Sequence, residues 1–138
     1  MVRSSEILLE TTAETDILNI TQDAEEKVLQ SGIENGIMLA FISGATAAVT
    51  TIEYESGVVN DLRRAIDRIA PRGMVYEHDR RWGDGNGYSH VRASLLGPSL
   101  AIPIRHCKLL LGTWQQIVVL DFDNRPRRRK VVIQIMGE

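Results

Sequence analysis

The 138-residue chain reads as an α+β protein on three observations. Helical periodicity lies in its first half and strand-like runs crowd its second. Its 43% apolar and 25% charged residues are the composition of a chain with a real core. One domain spanning residues 1–138 fits that length, and two would not. The expected architecture is mixed or antiparallel sheet with two main helices and one short one.

Ser4 to Thr11 alternates as a strand, and Thr15 to Asn19 offers it a hairpin partner. Thr21 or Asp23 can cap a helix running through Ala24, Val28 and Leu29 to Gly32. Gly36 to Ile42 is an apolar run of strand length, and Ala47 to Tyr54 is rich in Thr and Val, which favours another strand. In the second helix Val58, Val59, Leu62, Ala65, Ile66 and Ile69 recur at helical spacing. Asp61, Arg63, Arg64, Asp67 and Arg68 cover its other face, and Pro71 and Gly73 end it.

From Tyr76 to Tyr88 the chain turns polar, aromatic and glycine-rich, which predicts a loop, and ordered loops often carry function. Ser89 to Leu96 predicts a short helix stopped by Gly97 and Pro98. Four strands follow: Ser99 to Arg105, Lys108 to Leu111, Gln115 to Phe122 and Arg127 to Met136. The Asp123-Asn124-Arg125-Pro126 turn is expected to join the last two as a hairpin.

Charge and composition remove several function classes. A net charge of −2, from 16 basic and 18 acidic residues, argues against a protein that coats nucleic acid. The single cysteine, Cys107, excludes an internal disulfide and reads as a turn residue. No apolar run has the length of a signal peptide or a membrane span, so the expected location is cytoplasmic. The Gly-Asp-Gly-Asn-Gly stretch from Gly83 lacks the ligand alternation and closing glutamate of a calcium loop. It also lacks the strand that precedes a dinucleotide site, and no phosphate-binding Gly-Lys-Ser/Thr loop occurs elsewhere.

Chemistry concentrates in His78, Asp84, Asn86 and His90. Imidazole nitrogens with carboxylate and amide oxygens suit a divalent metal, zinc or magnesium, and Asn86 and His90 share a helix face if the helix starts near Asn86. His78, Asp84 and His90 equally suit general acid–base work, and as isolated residues they suit caps and turns. The basic run Arg125, Arg127, Arg128, Arg129 and Lys130 reads either as a charged edge strand or as an anion site. A phosphorylated small molecule fits the overall charge better than nucleic acid does. Thr113, Trp114 and Gln115 stand where one strand turns into the next, where the Trp either lines a pocket or packs in the core.

The stretches GYSHVRASLLGPSLAIPI, LLLGTWQQIVVLDFD and PRRRKVVIQIMGE, in that order, resemble the YjbQ family, with the likeness running from about Ile7 to Glu138. The resemblance implies an α+β fold that assembles as a homotrimer. It also implies weak thiamine-phosphate synthase activity, a transfer with loss of pyrophosphate, and a histidine-rich polar site that binds metal. On this chain the matching positions are His78, Asp84, Asn86, His90 and the Thr113-Trp114-Gln115 group, with Thr46 and Glu53 retained from a further motif. Arg127 and Arg129 would neutralise the diphosphate. The chain departs from the family at Gly44, where a histidine is usual, and at Tyr88, where another is usual before Ser89-His90. Two functions follow as alternatives: a transferase acting on phosphorylated heterocycles, or a trimer that binds a metal or small anion without turnover.

Overall fold

A computed structural model of the chain describes residues 1–13 and 15–138. In chain order the elements are β1 (Val2–Glu10), β2 (Asp16–Asn19), α1 (Thr21–Ser31), β3 (Gly36–Ile42), β4 (Ala47–Glu53) and α2 (Ser56–Ile69). They continue with α3 (Glu77–Trp82), α4 (Gly87–Leu96), β5 (Ser99–Arg105), β6 (Lys108–Leu109), β7 (Gln115–Asp121) and β8 (Arg128–Gly137). A five-stranded antiparallel sheet has the order β1-β8-β3-β5-β6, and a three-stranded one the order β2-β7-β4. The α+β expectation is met.

Three layers result. The inner face of the large sheet (Ile7, Met38, Ile42, Ile102, Ile133, Ile135) and α1 (Ala24, Val28) bury against Val49, Ile117 and Val119 of the small sheet. The opposite face of the small sheet, with Ile17, Ala48, Val118 and Leu120, packs on Ile66 of α2 and Ala93 of α4. The small sheet is therefore the middle layer, which is why β7 carries the unbroken apolar run Ile117 to Leu120, all four fully buried.

Strand β3 is apolar on both faces too, but only one of them is covered. Met38, Ala40 and Ile42 are buried, whereas Ile37, Leu39 and Phe41 are exposed on the outer face of the large sheet beside Met136 of β8. None of the described helices is long and apolar enough to cross a membrane.

Several local expectations are corrected. The first two strands are not a hairpin: β1 pairs with β8 and β2 with β7, in different sheets. Nor do β7 and β8 form one. Asp121 accepts the Asp123 N–H and Asp123 accepts the Arg125 N–H, so the two carboxylates bend their own backbone out of the small sheet and towards the large one. The basic strand β8 lies inside its sheet, between β1 and β3, so it is no edge strand.

Within the expected loop, α3 forms, ended by Gly83 in the left-handed conformation at φ 69°. Helix α1 begins at Thr21 without a side-chain cap. Asn19 instead accepts both the N–H and the hydroxyl of Thr21. Cys107 does sit in a turn: with His106 it forms a two-residue hairpin connection, both residues at positive φ, between β5 and β6.

Candidate functional site

The sequence-predicted residues fall into two groups at opposite ends of β4. Six steps of about 3.4 Å put the ends about 20 Å apart along the strand.

At the Ala47 end, α3 carries His78 and α4 carries His90, and their rings approach to 4.6 Å between centres. The intervening turn brings in Asp84, whose Oδ1 lies 3.4 Å from His78 Nδ1. One donor atom from each of His78, Asp84 and His90 falls within 4.8 Å of the others. His90 Nδ1 lies 2.9 Å from the Ala45 carbonyl, a contact that suits the neutral tautomer in which Nδ1–H donates and Nε2 carries the lone pair. His78 Nδ1 is also 3.3 Å from Asp79, which itself accepts the Gly87 N–H at the start of α4 and so ties the two helices together. Half of the Asp84 side chain is open to solvent.

Asn86 lies beside these three, but its amide is engaged in the interior. It donates to Asp123 and accepts from Ser89 Oγ and the Asn124 N–H. That network is the floor of the site. Arg129 meets Asp121 with two bonds, at 2.7 and 2.9 Å, and a third reaches Thr46 Oγ1. Arg127 Nε lies 3.0 Å from Asp123 Oδ2, which also accepts from Thr46 and Asn86. Burial by itself raises the Asp123 carboxyl, but hydrogen bonds from Thr46, the Arg125 N–H and Asn86, with the Arg127 guanidinium beside it, outweigh it and hold it below its ordinary value.

Gly44 explains its own identity. Its φ is +109°, and a β-carbon there would stand 3.0 Å from Arg129 Nη1. Gly44 itself lines a cleft of about 210 Å³ with His90, Ser94 and Pro98. Tyr88, at the other departure, is buried, with the Arg92 and Arg72 guanidiniums 4.9 and 5.2 Å from its ring centre.

At the Glu53 end, Glu53 pairs in register with Gln115 of β7. Trp114 is 72% exposed and so is not a core residue. It lines a cleft of about 380 Å³ with Glu53, Tyr54, Glu55, Thr113 and Gln116. Gln115 is engaged elsewhere: it accepts the Gly112 N–H and donates to Thr51, fixing the turn that presents Trp114. Sequence reasoning missed Asp121, Asp123, Tyr54, Glu55 and Gln116. The alternation Asp121-Phe122-Asp123 at the end of an apolar strand was the available signal for the first two.

A three-layer α+β domain with this arrangement has known counterparts. A family profile described as "UPF0047 protein YjbQ-like" matches residues 5–138, and the chain belongs to that family. A UPF0047 protein of Archaeoglobus fulgidus is 36% identical over 131 residues, covering 95% of this chain and 99% of the relative. UPF0047 protein YugU of Bacillus subtilis is 32% identical, over 94% and 96% of the two chains. Among solved structures, a YbjQ-like protein of unknown function from Sulfolobus solfataricus P2 superposes with a TM-score of 0.89 at 29% identity over the whole of both chains. An uncharacterised YjbQ/UPF0047 protein from Clostridium acetobutylicum gives 0.88 at 34% identity, over 96% and 99%.

Proposed function

We propose that this chain is a metal-binding protein in which His78, Asp84 and His90 hold a divalent transition metal, zinc in the first instance, and that a small phosphorylated anion is its ligand. The carrying observation is the convergence of two imidazoles and a carboxylate within 4.8 Å from three separate segments, with His90 Nδ1 already engaged by a backbone carbonyl. That donor set fits zinc chemistry. Three protein ligands are the number used by sites that exchange a fourth, whereas closed structural sites use four. When bound, the metal would supply Lewis acidity towards an oxyanion.

The charge balance beneath the site supports binding without turnover. A thiamine-phosphate synthase must neutralise a leaving pyrophosphate, yet on this chain Arg129 and Arg127 are already matched by Asp121 and Asp123. The experiment is metal content of purified, zinc-loaded and desalted protein, with His90→Ala beside it. One ion per chain, lost in the variant, is expected. Absence of metal from both proteins overturns the reading, and turnover of the two thiamine precursors overturns its non-catalytic part.

Assembly belongs to the same proposal. The uncovered apolar face of β3 supports the homotrimer, because an antiparallel sheet facing only water alternates apolar with polar residues. Light scattering should give a mass about three times the 15.4 kDa chain, falling to one chain in Leu39→Glu. A monomeric parent protein would refute it.

A further inference from the structure

The cleft at the Glu53 end suits a different ligand. Trp114 and Tyr54 are large aromatic side chains exposed by 72% and 45%, and exposure of that degree contributes little to the core. The Tyr54 ring and the backbone that carries Trp114 are nonetheless held in place. The Tyr54 hydroxyl donates to the Ile17 carbonyl at 2.8 Å, and the Gly112–Gln115 turn is closed by a backbone bond of 3.0 Å and by the Gln115 side chain. Two rings are thus presented to solvent on a fixed frame.

The charged residues that line the cleft itself are of one sign. The Glu53 carboxylate has no hydrogen-bond or ion-pair partner among the described residues, and Glu53 lines the cleft beside Trp114. Glu55 lines it too. Its carboxylate accepts the N–H groups of Gly57 and Val58 at the start of α2, and these bonds lower its pKa and keep it ionised. Arg63 borders the adjoining groove, but its guanidinium donates to the Thr15 carbonyl. Aromatic faces and carboxylates both present negative potential, so the cleft repels the anions proposed for the other end of β4.

From this juxtaposition we infer that the cleft between Trp114, Tyr54 and Glu53 binds an organic cation carrying its charge on an alkylated nitrogen. Its volume, about 380 Å³, admits a small molecule of that kind. The rings take the alkyl shell of the nitrogen, Glu53 supplies the counter-charge, and the Gln116 amide, bonded to Asn19, closes one side. A metal ion that keeps its water shell would gain little from the rings, and a neutral amine would forgo the charge attraction of Glu53.

The chain has two tryptophans, so Trp82→Phe leaves Trp114 as the only one and makes its emission a reporter. Tetramethylammonium chloride is titrated against sodium chloride at equal ionic strength, with neopentyl alcohol as the uncharged isostere. A saturable change with the ammonium alone is expected, weakened about fivefold by Glu53→Gln. Loss of the methyl saturation-transfer signal in Trp114→Leu provides a readout independent of emission, with circular dichroism verifying the fold. No saturable response, an equal response to the alcohol or to sodium, or an affinity unchanged in Glu53→Gln overturns the inference. None of these outcomes bears on the proposed metal site, whose residues lie at the far end of β4.

Discussion

At the Ala47 end of β4, Arg129 and Arg127 are matched to Asp121 and Asp123 at 2.7 and 3.0 Å, and three of the four side chains are almost wholly out of water. At the Glu53 end, the carboxylates of Glu53 and Glu55 face exposed rings without a basic partner, and water reaches all of them. The same strand thus runs from a neutralised interior to an unneutralised surface. The difference separates charge that holds the fold together from charge that remains available to a ligand. Buried ions cannot go unpaired, because desolvation would cost several kcal/mol each, whereas solvated carboxylates tolerate a missing partner.

That contrast can be broken most sharply at Arg129. Replacing it by Met leaves Asp121 buried with its bidentate partner removed, and Thr46 loses a donor as well. Urea unfolding should register a loss of about 3–5 kcal/mol, and a loss below about 1 kcal/mol would mean that the network is not holding β7 to β8.

A second, smaller effect is expected in acid. The folded Asp123 carboxyl titrates below its ordinary value of 3.8, so its contribution to stability is complete above the unfolded pKa and disappears as pH falls through the lower, folded one. Stability should therefore decline below about pH 4, and less steeply in Asp123→Asn measured from its own starting point. Parallel slopes in the two proteins would assign the acid transition to other carboxylates. At the opposite end, Glu53→Gln should move the urea midpoint by less than about 0.5 kcal/mol equivalent. A larger loss would make Glu53 a structural residue and remove the contrast.

Much of the secondary structure was legible. The boundaries of β3 and β5 follow from apolar runs flanked by Gly, Ser and Pro, and the apolar stripe of α2 was plain. Glu55 as the cap of α2 was missed because glutamate is not among the side chains that ordinarily cap a helix. Helix α3 was missed because Glu77–Trp82 has no apolar stripe, and only Gly83 marked its end. For the site, His78, Asp84 and His90 were legible as residue types at close spacing. Asn86 was grouped with them because sequence spacing cannot show which way an amide turns, and here it turns inward to Asp123.

What the sequence determined by itself was local: the α+β class, most strand and helix positions, the family, and a concentration of imidazole and carboxylate near residue 84. Each depends on neighbours within a few residues, where periodicity, caps and turn chemistry act. Tertiary structure alone decided the pairings. It put β8 inside the large sheet, so Arg129 became the buried partner of Asp121 instead of a charge on an edge. It also set Glu53 and Trp114 a strand's length away from the histidines. Strand partnership depends on contacts between residues far apart in the chain, and the hydrophobic pattern that drives strands to pair does not specify which strand is the partner.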